Sequence, residues 1–124
     1  MKVMQKTILI TDDSAMIRRI VGRLLQGDGH KILLSENGEK GCMLAKSEKP
    51  DLIIMDVEMP VMSGIKATKQ IKNDPDTASI PILIFTSLGR EEDMERAKNA
   101  GCCGFLNKPV CEDELREAVN KVFV

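Results

Sequence analysis

The sequence predicts an α/β protein: a five-stranded parallel sheet, doubly wound in (βα)5 order. Two observations carry that expectation. Short apolar runs alternate with amphipathic stretches of helical length five times along the 124 residues, the pattern of strands linked by helices that cover both faces of one sheet. The runs are also near-continuously apolar, as strands buried on both faces are. Right-handed crossovers leave few topologies for such a chain.

The first run, Thr7-Ile8-Leu9-Ile10-Thr11, ends at Asp12-Asp13. Ile17, Ile20, Val21, Leu24 and Leu25 then fall at i, i+3, i+4, i+7 and i+8, an amphipathic helix that Gly27 stops. Ile32-Leu33-Leu34 is the second strand, Asn37-Gly38 a turn, and a weaker helix runs to about Glu48. After Pro50-Asp51 comes the third strand, Leu52-Ile53-Ile54-Met55, ending at Asp56. The next helix starts near Ser63 and ends near Asn73, where Asn73-Asp74-Pro75 signals a turn. Pro81-Ile82-Leu83-Ile84-Phe85 forms the fourth strand and ends at Thr86. A polar helix from about Glu91 to Ala100 is closed by Gly101. Its apolar stripe is thin (Met94, Ala97, Ala100), so it buries little area and is easily displaced. Gly104-Phe105-Leu106 is the short fifth strand, ending at Asn107-Lys108-Pro109, and the last helix carries Leu115, Ala118, Val119 and Val122 on one face.

The length suits one compact domain over residues 1–124 with no output domain. With 18 basic and 19 acidic residues the charges nearly cancel, which favours neither nucleic acid nor an anionic membrane surface. No apolar run reaches spanning length and the start does not read as a secretory leader, so a cytoplasmic location is expected. The four cysteines (42, 102, 103, 111) form no C-x-x-C pair and the chain has one histidine, so a zinc site lacks its ligand spacing. Reduced and mostly buried thiols are expected, and His30 is expected at the surface at a strand start. Without Trp or Tyr, and with three Phe, there is no aromatic platform for bases.

If the runs are parallel, the residues that end them emerge at one edge of the sheet, where open α/β sheets bind ligands. Asp12, Asp13, Asp56, Thr86 and Lys108 then share one pocket. Two like charges about 4 Å apart cost roughly 4 kcal/mol at an effective dielectric near 20. A pocket with three carboxylates must therefore take up protons, recruit a cation, or both. Carboxylate oxygens with room for water and phosphate suit Mg2+. A carboxylate beside Mg2+ can attack phosphorus to form an acyl phosphate, with Lys108 and the metal stabilising the equatorial oxygens. Singly, each piece has a plainer reading: Asp13 as a helix N-cap, Thr86 as a cap, Lys108-Pro109 as a loop. Their appearance together, at four strand ends, is what points to a site.

Asp12-Asp13, Asp56 within Asp-Val-Glu-Met-Pro-Val-Met-Ser-Gly, Thr86-Ser87 and Phe105-Leu106-Asn107-Lys108-Pro109 resemble the receiver domain of bacterial two-component response regulators, over the whole chain from Thr7 to the last helix. The resemblance is to the single-domain, CheY-like type. It implies a flavodoxin-like strand order, 2-1-3-4-5, and a phosphoacceptor at Asp56. It implies Mg2+ held by Asp13, Asp56 and the backbone carbonyl of Glu58, with Asp12 acting through a water. Lys108 would pair with the carboxylate and then the phosphoryl group, Thr86 would move onto that group, and Phe105 would turn inward as the aromatic switch. Lys108-Pro109 matches a peptide bond that is cis in the family. The phosphodonor would be a phosphohistidine on a histidine kinase or phosphotransfer protein. The output would be altered binding of a separate, unidentified protein through the surface around residues 86–106, in chemotaxis-like or phosphorelay signalling.

The chain departs from the commonest pattern at Phe105 (often Tyr), at Ser87 (often Ala), and in the acid at Glu58 and apolar Leu88. Glu58 and Leu88 are expected to tune how water reaches the acyl phosphate, and Glu58 reads equally well as a solvated loop acid. Met55, Met59 and Met62 read as gap-fillers beneath the loop. Three other readings stand beside the receiver. An aspartyl-phosphate phosphohydrolase would want a second acid where Glu58 only loosely serves. A flavodoxin-like FMN carrier would have its phosphate repelled by Asp12-Asp13. A degenerate receiver would lack pocket residues that are present here.

Overall fold

The computed structural model describes residues 4–87 and 91–124; Leu88, with its expected influence on hydrolysis, lies outside them. The order is β1 (Thr7–Thr11), α1 (Ala15–Gly27), β2 (Lys31–Ser35), α2 (Gly38–Glu48), β3 (Leu52–Asp56), α3 (Gly64–Asn73), β4 (Ile82–Thr86), α4 (Glu91–Ala100), β5 (Gly104–Asn107) and α5 (Glu112–Val122). All strand pairs are parallel, in the order β2-β1-β3-β4-β5. Both the fold class and the strand order are those expected.

Alternation along the strands builds two cores. Ile8, Ile10, Leu52, Ile54, Leu83 and Phe85 face α1 and α5, packing on Val21, Leu25, Leu115 and Val119. Leu9, Ile53, Met55, Ile82 and Ile84 face the other way, onto Ala45, Ala67, Ile71, Ala97 and Ala100 of α2, α3 and α4. β3 and β4 are buried along their length, as near-continuous apolar runs should be. β2 lies at an edge, which leaves Leu34 49 % exposed. α4 contributes only Ala97 and Ala100 as fully buried residues, in keeping with its thin stripe.

Four expectations need correction. Ser14, not Asp13, caps α1, its hydroxyl accepting from the Ile17 N–H at 3.2 Å. Ile20 is exposed although it lies on the apolar stripe, because it sits at the stripe's margin, beyond Val21 and Leu25, which the core buries, and Ile17 and Leu24, which it partly covers. The cysteines are free but not mostly buried: Cys103 and Cys111 are exposed, Cys42 and Cys102 half-buried. His30 is 5 % exposed rather than a surface residue. Its Nδ1 accepts the Lys6 backbone N–H at 3.1 Å and its ring lies 6.1 Å from that of Phe123, tying the entry of β1 to the end of α5. The neutral ring, not the imidazolium, offers that acceptor.

The β3–α3 loop holds an unusual backbone. Val61 has φ 70° and is 75 % exposed, and the Met62 N–H donates to the Pro60 carbonyl at 2.7 Å, closing a γ-turn around it. Positive φ strains a β-branched residue, and no burial of Val61 compensates. Val61→Asn should therefore raise the unfolding free energy by about 1 kcal/mol. Urea denaturation of the two proteins reads this directly; an unchanged or lower midpoint would contradict it.

Candidate functional site

The carboxyl ends of β1, β3, β4 and β5 meet at one rim. Asp12 follows β1 at 1 % exposure, Asp56 ends β3 at 6 %, and Asp13 is exposed at the lip. One carboxylate oxygen from each lies within 4.8 Å of the others. Lys108, just past β5, reaches in from the opposite side. Its Nζ lies 2.8 Å from Asp12 Oδ2 and 3.2 Å from Asp56 Oδ1. The Lys108 backbone N–H donates to the Thr86 carbonyl at 3.0 Å, which fixes the root of that side chain on β4. The Lys108–Pro109 peptide bond is cis.

Local hydrogen bonds set the two buried carboxylates. Asp12 Oδ1 accepts the Ser14 N–H at 2.9 Å, and Asp56 Oδ1 accepts the Val57 N–H at 2.8 Å. The Asp12 carbonyl takes a 2.6 Å bond from Arg18 Nη1, so α1 also grips this turn. Gly64 opens α3 directly behind Asp56. Its N–H donates to the Val57 carbonyl at 2.8 Å, and a Cβ there would stand 1.7 Å from the Asp56 carbonyl oxygen. Gly64→Ala must push α3 off the strand end or displace Asp56. The expected cost is about 2 kcal/mol or more, as for other overpacked sites, seen as a lower thermal midpoint.

Charge is poorly balanced in this pocket. Burial first, and the neighbouring Asp12 charge second, push Asp56 up from 3.8 to about 6, against the pull of Lys108 and the Val57 N–H. Burial pulls Lys108 toward neutrality, but its close contact with Asp12 and the field of Asp56 outweigh this and leave it above its usual value. Asp12 Oδ2 is buried with the off-axis ammonium beside it and no well-directed hydrogen bond. Such an oxygen suits a cation. Three carboxylate oxygens gathered within 4.8 Å of one another can turn onto one shared cation. The donor set and its spacing fit Mg2+.

Thr86 and Phe105 lie on the other side of the sheet from Asp56. Phe105 registers with Ile84, and Thr86 follows Ile84 by two residues, so both belong to the face covered by α3 and α4. Thr86 is buried and Phe105 half-buried. Glu58 is exposed, and its side chain reads as a solvated loop acid; Ser87 is exposed as well. Met55 is buried and Met59 and Met62 pack against the same core, as gap-fillers do. Two neighbours of the pocket were invisible in the sequence. Arg18 was one of several basic residues on α1. Phe85 was one more apolar residue in a run, although its ring lies 5.2 Å beneath Lys108 Nζ.

Comparison with known proteins places the chain in a family. The model of the response regulator receiver domain matches residues 8–120, so the chain belongs to that family. The protein PilH of Pseudomonas aeruginosa is 40 % identical over 93 % of this chain and 95 % of its own length. The polar-differentiation response regulator DivK of Brucella anthropi is 29 % identical over 94 % of each chain. Among solved structures, the chemotaxis protein CheY4 of Vibrio cholerae superposes with a TM-score of 0.91 at 30 % identity, covering 96 % of this chain and 99 % of that one. The receiver domain of the sensor histidine kinase PA1611 of Pseudomonas aeruginosa, solved with a magnesium ion coordinated in its active-site cleft, gives 0.89 at 25 % identity over 97 % and 98 %. Receiver domains are signalling phosphoacceptors rather than small-molecule enzymes; they bind Mg2+ in an acidic pocket and interact with histidine kinases and output proteins. Among the described residues no helix is long and apolar enough to cross a membrane.

Proposed function

We propose that this chain accepts a phosphoryl group on Asp56 from a partner histidine kinase or phosphotransfer protein, in the cytoplasm, and thereby changes its affinity for a separate output protein. The observation that carries the reading is the meeting of Asp12, Asp13 and Asp56 within 4.8 Å, with Lys108 bridging the two buried ones. In the transfer, an Asp56 carboxylate oxygen forms the O–P bond as the donor's N–P bond breaks, and the electron pair of that bond stays on the donor imidazole. Lys108 N–H groups shift from carboxylate to phosphoryl oxygens and stabilise their charge through the transfer. Asp12, Asp13, Asp56 and the Glu58 carbonyl would hold Mg2+, which supplies Lewis-acid neutralisation of the phosphoryl oxygens.

The signal passes from Asp56 to the opposite face of the sheet, where Thr86 and Phe105 lie, and leaves at the β5 edge. A phosphoryl group brings about −1.5 to −2 charges and three acceptors. Drawn to it, the Thr86 hydroxyl would donate one hydrogen bond and vacate space on the face it shares with Phe105. Phe105 then turns inward and α4, with its small buried area, shifts. The output surface would be α4, β5 and α5. The test is binding of beryllofluoride, an acyl-phosphate mimic, in the presence of Mg2+, followed by calorimetry. Wild type should bind and Asp56→Asn should not; equal binding by both proteins would refute the site.

A further inference from the structure

We propose that Phe85 is a positioning residue for phosphoryl uptake: its ring holds the Lys108 ammonium over the acceptor pocket by cation–π attraction. The inference rests on the role given to Lys108 above. In register, Asp56 pairs with Phe85 and Phe85 with Leu106. Registered residues of parallel strands share a face, so Phe85 lies beside Asp56. Lys108 leaves the end of β5, and its target Asp56 ends β3, two strand spacings away, about 10 Å. Its side chain must cross the end of β4, and the side chain it crosses there is Phe85. Nζ stands 5.2 Å from the ring centroid, inside the ~6 Å range of the attraction. Phe85 is 2 % exposed, so the contact is largely shielded from water, where such attraction is strongest.

Filling the core does not require a ring here. Ile82, Leu83 and Ile84 fill the other positions of β4 with aliphatic side chains. What a ring adds is attraction for charge without a lone pair. Asp12 and Asp56 hold the ammonium through ion pairs at 2.8 and 3.2 Å, which must loosen when phosphoryl oxygens arrive. The ring face takes no directed N–H, so it keeps the charge in place while the N–H groups are re-aimed. An acidic residue at position 85 would attract the ammonium too, but would compete with the phosphoryl oxygens for its protons.

A shape-conserving series separates this role from packing. Site-specific replacement of Phe85 by mono-, di- and trifluorophenylalanine removes the negative charge of the ring face stepwise at nearly constant volume. Beryllofluoride affinity with Mg2+ should fall steadily along the series, by about three- to thirtyfold in total. In the metal-free protein, the Lys108 side-chain methylene protons should show an upfield ring-current displacement in NMR spectra that Phe85→Leu abolishes. A wild type that binds tightly while the fluorinated series stays level would overturn the proposal. So would methylene signals that Phe85→Leu leaves unmoved. A wild type that takes up no beryllofluoride would instead overturn the reading of Lys108 on which the proposal rests.

Discussion

Asp56→Asn is expected to yield a protein that takes up no phosphoryl group and yet, without divalent cations at pH 8, is more stable than wild type. The gain follows from the raised value of Asp56, about 6 in the folded chain against 3.8 as its ordinary value. A carboxyl raised on folding binds its proton more tightly in the native state. Its contribution is thus fully favourable below about pH 3.8 and is lost as pH rises through about 6. At pH 8 the folded protein bears the whole cost of a buried carboxylate beside Asp12. One unit is worth about 1.4 kcal/mol, which sets an upper bound of about 3 kcal/mol; partial solvation of the rim lowers this to about 1–2 kcal/mol. Asn keeps the shape without the charge. Denaturant unfolding in a chelating buffer should show the variant ahead at pH 8 and the two proteins level near pH 4. A variant no more stable than wild type at pH 8 would mean that the pocket is not charge-strained. Added Mg2+ should reverse the ranking, because only the wild type has Asp56 to offer it.

That the candidate site residues meet at one rim was legible in the sequence because they end apolar runs. Asp12, Asp56 and Thr86 mark places where a buried strand meets solvent, and the parallel arrangement brings such places to one edge. Helices α1 and α5 were legible from their stripes, and α3 from the turn signal that ends it. What local pattern could not convey was contact across the sheet. His30 looked like a solvated polar residue at a strand start; its burial comes from Lys6 and Phe123, which lie far from it in the chain. Phe85 looked like any inward residue of β4. Its place beneath an ammonium depends on the β3–β4–β5 order and on register, both fixed only by the assembled sheet. Ile20 shows the converse: the stripe is wider than the surface that covers it. Cys103 and Cys111 were assigned to the interior by residue type, whereas the α4–β5 and β5–α5 connections that carry them run over the surface.

Lys108→Met should move stability, metal affinity and phosphoryl uptake in different directions, which a merely structural lysine would not. Met keeps much of the stem and its packing but removes the ammonium from between Asp12 and Asp56. Two buried carboxylates then face each other uncompensated. Breaking a buried ion pair by removing one partner costs about 3–5 kcal/mol, and since Lys108 is half-buried about 2–3 kcal/mol is expected at pH 8 in chelator. The loss should shrink toward pH 5, because Asp56, already raised by burial and by Asp12, relieves the repulsion by taking a proton. Magnesium should stabilise the variant more than the wild type, since it no longer competes with an ammonium for the same oxygens; the shift of the thermal midpoint with Mg2+ concentration measures this. Phosphorylation by a small phosphodonor such as acetyl phosphate should nonetheless fall by about a hundredfold or more, the effect of removing one preorganised donor from a developing oxyanion. Tighter Mg2+ binding together with lost phosphoryl uptake would separate the two tasks of the pocket: the carboxylates recruit the cation, and the lysine receives the charge of the transferred group. A variant that kept wild-type uptake would leave Lys108 a counter-ion alone.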